Sequence, residues 1–402
     1  MKIVHCCLSN TYNEGYTYQE NLLSIQNKQD GHEVWIVAST EIYKDNKYIG
    51  YVEPGSYINT AGINVIRVPY IKVINNSISH KFRAYKGVRS ILDTIGPHLI
   101  VFHGIAAWEL KSVSKYAADN GIVFYIDNHA SLINSGHGWF SKNILHGIFY
   151  RHVLLRALPA AEKVLCIGTD EYDFARTVYK VPTAKLELWP LGGNIQTDEE
   201  YYRIRERRRH QLDVNDNTIV FMHSGKMNKD KKTKELLQTF SSVKDERFAL
   251  LIAGEFLENT EEIHDLIRQD LRIRYLGWAS GEELLELLAA ADVYLQPGSM
   301  SATMQNAMCC RCAVVVQPTD IYQYFLEETG VYVQTQAELE QFLLDVSCGK
   351  VEISKLKQLH FNRAKKLLDY RNIAKRLYGE SESNAYQKGK AELEADKGDS
   401  SR

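Results

Sequence analysis

Long apolar runs are absent from this chain. No window of its 402 residues approaches 18 uninterrupted apolar positions, which excludes an ordinary membrane-spanning helix. A secretory leader is not expected, because Met1-Lys2-Ile3-Val4-His5 reaches polar Ser9-Asn10 before an apolar stretch of useful length builds up. Net charge is close to nil: 48 Lys and Arg against 50 Asp and Glu give −2, so no global pull toward nucleic acid or anionic lipid is implied. Cysteine is sparse, and the seven (Cys6, Cys7, Cys166, Cys309, Cys310, Cys312, Cys348) lack the number and spacing of a disulfide scaffold. Reduced thiols in the cytoplasm fit best, with a peripheral position at the inner face of the plasma membrane left open. Cys309-Cys310-x-Cys312 has no second Cys or His pair at zinc spacing, and no bound metal is expected. No solenoid-length repeat is visible.

What is present is 45% hydrophobic residues, enough to fill two cores. Apolar strand patterns at Ile3-Val4, Val34 to Val37, Val65 to Val68, Leu99 to Phe102, Val123 to Ile126, Val164 to Ile167 and Leu186 to Trp189 alternate with room for helices. After Pro190-Leu191-Gly192-Gly193-Asn194 and a basic stretch from Tyr201 to His210, the alternation restarts at Ile219 to Met222. It continues through Leu250 to Ala253, Ile273 to Leu276, Val293 to Leu295, Ala313 to Val316 and Val331 to Val333. The expected fold is α/β: two doubly wound, Rossmann-like domains facing a cleft, residues 1–200 and 201–365. Beyond 380 the chain is Glu, Lys, Ser and Gly without apolar spacing, so 381–402 is expected to be disordered.

The segment from Asp292 to Val316 carries the clearest chemistry. A strand that stops at Gln296-Pro297-Gly298-Ser299 and restarts as a helix is expected to leave backbone N–H groups open to an anion, with Ser299, Ser301 and Thr303 adding hydroxyls. An ordinary helix cap is the alternative reading of the same residues. Strand Ile219 to Met222 runs into His223-Ser224-Gly225-Lys226, with Lys231 five residues on. Two ammonium groups at that sheet edge suit a diphosphate, while Lys229, Lys232 and Lys234 read as surface. Gly254-Glu255 and Gly277-Trp278 mark strand exits where glycine permits close backbone approach to a flat ligand. Gly15, between the first strand and helix, is a rim position, although the three spaced glycines of a dinucleotide site are absent. His129 ends the strand Val123 to Ile126, where a neutral imidazole would accept a proton or bond a sugar hydroxyl; His103 is a weaker instance. On the other side of the cleft, Tyr43, Tyr48, Tyr51 and Tyr57 read as a surface hairpin or a sugar-stacking face. His137-Gly138-Trp139-Phe140 with the following helix, and the Arg203 to Arg209 cluster, are candidates for lipid or anionic-acceptor contact.

In order and spacing, Gly31-His32-Glu33-Val34, His129, Pro190 to Asn194, Gly225-Lys226 with Lys231, Gly277, Ala291-Asp292-Val293 and Ala307-Met308 resemble the GT-B nucleotide-sugar glycosyltransferases of the retaining family-four group, over about 370 residues. The resemblance implies that the first domain binds the acceptor, the second binds the nucleotide sugar, and a helix over 366–380 crosses back to the first. It assigns Lys226 and Lys231 to the donor's phosphates, although the family usually has arginine at the first position and glycine where Lys232 stands. Aligned on Ala307-Met308, the family's two glutamates fall on Gly298 and Asn306. Asn306 keeps hydrogen-bonding capacity for a ribose, and Gly298 keeps only backbone.

The implied activity is metal-independent, retaining transfer of a sugar from a UDP- or GDP-sugar, with no bound cofactor, to a glycan, lipid-linked or protein acceptor in surface polysaccharide or glycoconjugate synthesis. The donor would contact Gly15, Lys226, Lys231, Gly277, Trp278, Ser299, Ser301, Thr303 and Asn306, with His129 at the reacting sugar. The alternatives are a non-catalytic subunit of a glycosylation complex, suggested by the missing glutamates, and a sugar nucleotide epimerase.

Overall fold

The computed structural model describes residues 1–16, 18–44, 48–71, 76–132, 135, 138–139, 141–258 and 260–379. The tail from 381 onward, His137 and Phe140, on which expectations were placed above, lie outside them.

The first domain is built on an eight-stranded sheet. Its strands are β1 (Lys2–Cys7), β2 (Glu33–Ser39), β5 (Gly55–Ile58), β6 (Asn64–Val68), β7 (Leu99–His103), β8 (Val123–Asn128), β9 (Val164–Cys166) and β10 (Leu186–Leu188), in the order β10-β9-β8-β7-β1-β2-β6-β5. Every pairing is parallel except β5 against β6. β3 (Glu41–Lys44) and β4 (Tyr48–Tyr51) form a separate antiparallel hairpin, which accounts for three of the four tyrosines around it. Ile3, Val4, Cys6 and Cys7 are fully buried because helices cover both sheet faces, as the unbroken apolar run predicts. The helix Gln19–Gln29 ends at Asp30, and Gly31 follows at φ +86°, the left-handed geometry that glycine adopts without strain.

The second domain has six parallel strands: β11 (Ile219–Met227), β12 (Phe248–Phe256), β13 (Ile273–Tyr275), β14 (Val293–Gln296), β15 (Ala313–Val316) and β16 (Val331–Tyr332), in the order β13-β12-β11-β14-β15-β16. In each sheet the order reverses about one strand, β1 in the first and β11 in the second. The carboxyl ends beside those reversals are where such sheets leave a crevice.

The basic stretch from Arg203 to Arg209 lies on the helix Asp198–Gln211, and most of its charge is used internally. Arg205 donates to the carbonyls of Ala289, Ala290 and Ala291 (3.0, 3.0 and 2.9 Å), closing the C-terminus of the helix Gly281–Ala290, and to Asp292 at 2.6 Å. Arg209 reaches Asp292 (3.3 Å) and the carbonyls of Asn215 and Thr218, while Arg207 and Arg208 pair with Glu286 and Glu283. The expected acceptor patch is therefore a packing device that joins this helix to the second domain.

The chain returns to the first domain through the helix Tyr370–Leu377. Its Tyr370, Ile373, Ala374 and Leu377 pack with Ile3, Leu23, Leu99, Val101, Leu165 and Trp189. At about 1.5–3 kcal/mol for each large apolar side chain buried, this contact is a substantial tie between the chain's end and its beginning. Gly192 and Gly193 run beneath it. A Cβ on Gly192 would lie 2.8 Å from Ile373 Cδ1 and 3.0 Å from Leu368 O, so the crossing packs closely on this glycine, and one on Gly193 would lie 2.7 Å from Cys309 Sγ of the helix Thr303–Cys309.

Candidate functional site

Between the domains lies a cleft of about 1200 Å³. From the first domain it is lined by residues that include Ser9, Gln19, Glu20, Arg83, Gly104 and His129, and from the second by Leu284, Ala302, Thr303 and Asn306. Ser9 and Gly104 follow β1 and β7, so the cleft opens at the strand-order reversal of the first sheet. Thr303 begins the helix Thr303–Cys309, and Asn306 faces inward from its first turn, with its Oδ1 3.3 Å from the Cβ position of Gly193.

His129 follows β8, and two residues before it Asp127 points to the same side of the strand. Asp127 Oδ2 accepts from His129 Nε2 at 3.3 Å and from His103 Nδ1, and its Oδ1 accepts from Gly104 N–H at 2.6 Å. Behind them, His103 Nε2 meets His5 Nδ1 at 2.9 Å, His5 Nε2 meets Asn27 Oδ1 at 2.8 Å, and Asn27 Nδ2 donates to the Tyr378 hydroxyl just past the crossing helix. Asn27 gives its carbonyl to His5, so His5 carries a proton on Nε2. Burial, and His103 beside it, push His5 down to about 3, which agrees with a neutral ring there. Burial opposes an ionised Asp127, but the two imidazoles hold its carboxyl well below the usual carboxylate range. Burial likewise opposes a charged His129, yet the Asp127 carboxylate, with Glu20 and Glu171 farther off, lifts it to about 9. This raised proton affinity favours an imidazolium that donates to Asp127, in place of the neutral, proton-accepting ring that the sequence predicts. Among the described residues, His103, Asp127 and His129 also bring their donor atoms within 4.8 Å of one another, near enough to consider a metal ion. Asp127 Oδ2 is already the shared acceptor of both imidazoles, so the cluster is closed by its own protons.

The turn after β14 differs from the open anion cradle expected of it. Ser299 N–H donates to Asp230 O (2.8 Å), Ser301 N–H to the Tyr322 hydroxyl (2.7 Å) and Thr303 N–H to Ser301 Oγ (3.3 Å). Those three donors satisfy the turn itself. Lys231 does converge on this turn: its Nζ donates to Ser299 O at 3.0 Å and to Met300 O at 2.5 Å, and burial pushes its ammonium down to about 8. Gly298 is fixed by the same contact, since a Cβ there would lie 2.1 Å from Asp230 O and 2.5 Å from Lys231 C. A side chain at this position would force the Asp230–Lys231 turn to shift, so the turn as built suits glycine.

Of the expected donor contacts Thr303 and Asn306 line the cleft, whereas Lys231, Ser299, Ser301, Lys226, Gly15, Gly277 and Trp278 do not. Lys226, opposite Glu255 in the β11–β12 register, is exposed and does not reach the Ser299 turn as Lys231 does. Gly15 (φ +75°) and Gly277 (φ +74°) are left-handed turn residues with open space at their Cβ positions, and Trp278 is 57% exposed. At Gly254 the close approach is to the carbonyl of Gly225, 1.9 Å from a Cβ, so sheet packing and not a ligand requires that glycine. Sequence reasoning missed Asp127, Glu20 and Arg83. Asp127 could have been found from its i, i+2 spacing to His129, whereas Arg83 has no signal beyond its charge.

Residues 218–346 match the family model for glycosyl transferases group 1, a span that runs from β11 into the helix Gln336–Ser347. No curated protein matches the chain in sequence. Solved structures resemble it over nearly its whole length. A glycosyltransferase from Rickettsia africae is 14% identical, covering 93% of this chain and 96% of its own, with a TM-score of 0.64. Sucrose-phosphate synthase from Thermosynechococcus elongatus is 16% identical, with coverage of 94% and 97% and a TM-score of 0.62. Anabaena HepE in complex with UDP is 14% identical, with coverage of 94% and 99% and a TM-score of 0.62. The chain therefore has the two-domain GT-B fold of these proteins, and its second domain matches the glycosyl transferases group 1 model.

Proposed function

We propose that the protein is a glycosyltransferase that holds a nucleotide diphosphate sugar against its second domain and passes the sugar to an acceptor seated on the first. The observation that carries this reading is the cleft itself, where a cationic His129 stands across from Thr303 and Asn306. HepE is known in complex with UDP-glucose, which supports a UDP-sugar as the donor class. In this reading Lys231 exchanges its bonds to the Ser299 and Met300 carbonyls for the diphosphate, the Ser299 and Ser301 hydroxyls rather than their N–H groups assist it, and Thr303 takes its near side and Asn306 the ribose. Gly15, on the first domain, reaches the donor only if the domains close further around it, while Lys226, Gly277 and Trp278 lie on the donor's own domain and take no part in this reading.

A protonated His129 cannot act as a general base. It donates to the reacting sugar or the departing phosphate, where a preorganised charge lowers the barrier most. With Lys231 it supplies the charge stabilisation that makes transfer independent of a metal ion, and EDTA should leave turnover unchanged. Retention of anomeric configuration belongs to the same reading. The setting we favour is glycan or glycoconjugate synthesis at the inner face of the membrane.

Thermal-shift titration with UDP, GDP, ADP and CMP tests the donor site, and mass spectrometry of slow donor hydrolysis tests turnover. No stabilisation by any nucleotide would refute the assignment. Gly298 favours one rival, a nucleotide-binding subunit without turnover, because a carboxylate side chain there would force the Asp230–Lys231 turn to shift. Binding without hydrolysis or transfer would select that rival.

A further inference from the structure

The cleft wall of the first domain carries a cation that no carboxylate among the described residues neutralises. Arg83 Nη1 donates to Ala106 O at 3.0 Å and to Ser9 Oγ at 3.4 Å, which fixes the guanidinium at the carboxyl ends of β1 and β7 and leaves its other N–H groups for the cleft. The nearby acids are engaged elsewhere: Glu41 with His80 at 3.3 Å, Glu109 with Tyr85 N–H at 2.9 Å, and Glu20 with Asn10 at 3.3 Å. Tyr70, Tyr85, Tyr150 and Tyr179, all within reach of its field, are held protonated by burial, so the charge sits among neutral rings. Burial, then Arg83, hold His146 down to about 4. His146 Nδ1 pairs with the Tyr179 hydroxyl at 2.7 Å, and its ring lines the same cleft.

Backbone geometry sharpens the point. Arg83 follows the helix Asn76–Phe82 at φ +52°, a left-handed position that glycine or asparagine fills without strain. An arginine kept in a strained conformation on a cleft wall, without a counter-charge, is a functional signal. Lys81 lines the same wall two residues earlier. The guanidinium fork matches the geometry of phosphate oxygens, which accept two parallel N–H groups.

We propose that Arg83, with Lys81 and His146 beside it on the cleft wall, forms a subsite for a phosphate or diphosphate group carried by the acceptor. This rests on the glycosyltransferase reading and specifies its acceptor as a phosphorylated one. The subsite is separate from the donor's diphosphate contacts, which lie on the second domain at Lys231.

The test is calorimetric titration of the full chain with inorganic phosphate, and separately with UDP, for the wild type and for R83Q, R83K and K231A. R83Q is expected to weaken phosphate at least ten-fold and to leave UDP within two-fold. R83K should recover part of the phosphate affinity, and K231A should show the reverse pattern. Phosphate affinity that is unchanged in R83Q overturns the proposal, as does loss of UDP together with phosphate. Wild-type crystals soaked in phosphate give a measurement that depends on no variant: density for the ion on Arg83 supports the subsite, and its absence at saturating phosphate overturns it. Failure of every nucleotide with phosphate still bound would sink the transferase reading and leave the subsite standing. Competition for phosphate by a short prenyl diphosphate assigns a lipid-linked acceptor, competition by a hexose phosphate alone assigns a soluble one, and competition by neither overturns the acceptor role.

Discussion

Replacing Asp127 by Asn removes the charge that keeps His129 protonated and changes little else in side-chain size. The imidazole rises from its ordinary 6.5 to about 9 although burial pulls it down, so the carboxylate is the dominant cause. At about 1.4 kcal/mol for each tenfold change in proton affinity, that rise amounts to about 3 kcal/mol. His129 is 32% exposed, and solvent screening brings the usable part to roughly 1–2 kcal/mol. The sign follows from linkage: a histidine whose folded pKa is raised contributes its stability fully below about pH 6.5 and loses it as pH climbs through about 9. The assay is the carbon-bound imidazole proton in a one-dimensional NMR titration, with activity measured over the same pH range. In the wild type the ring should titrate near pH 9, and activity should fall as the proton leaves. In D127N the ring should titrate at or below pH 6.5, because Glu20 and Glu171 alone do not offset burial, and activity at pH 7.5 should fall. Identical titration midpoints in the two proteins would refute the assignment of His129 as a cation set by Asp127.

Other expected outcomes follow from the same geometry. K231A should weaken the preferred nucleotide at least ten-fold, about 1.4 kcal/mol, in a direct binding assay. G298A should destabilise the second domain by about 1–3 kcal/mol in urea unfolding, since its Cβ meets Asp230 O, and G298E should unfold it without restoring a family-like site. D292A should cost about 3–5 kcal/mol in the same experiment, because it leaves Arg205, Arg209 and Lys357 converging on an empty acceptor.

Strand positions and the two-domain division were readable because buried parallel strands write themselves as short runs of Val, Ile and Leu separated by helix-length gaps. The turn after β14 was readable as a turn, but the partners of its N–H groups were not. Asp230 O comes from a 3₁₀ turn 69 residues upstream of Ser299, and the Tyr322 hydroxyl from a helix 21 residues downstream of Ser301. Lys226 and Lys231 look alike in sequence, yet β11 runs on to Met227 and leaves Lys226 on an exposed edge while the 3₁₀ turn carries Lys231 inward. The arginine run from 203 to 209 shows the same limit. A cluster of like charges says nothing of the three alanine carbonyls and the buried Asp292 that it closes over. What stayed illegible was each side chain's partner whenever that partner came from a distant loop.

Lys231 gives a last and separable consequence. Its proton affinity is lowered from the ordinary 10.5 to about 8 by burial, although two carbonyls accept from it. A depressed lysine makes the folded protein gain stability as pH rises from about 8 toward 10.5, where the unfolded chain still holds the proton and the folded chain does not. A diphosphate brought to this ammonium reverses the preference, because an adjacent anion favours the charged form. Nucleotide binding near pH 8 should then take up close to half a proton per site, and at pH 6.5 almost none, since the amine is already charged there. Calorimetry of UDP binding in two buffers of different ionisation enthalpy measures the proton count directly, and K231A should abolish it. Uptake that persists in K231A would mean that a different group senses the diphosphate, and the clamp would have to be drawn elsewhere on the cleft.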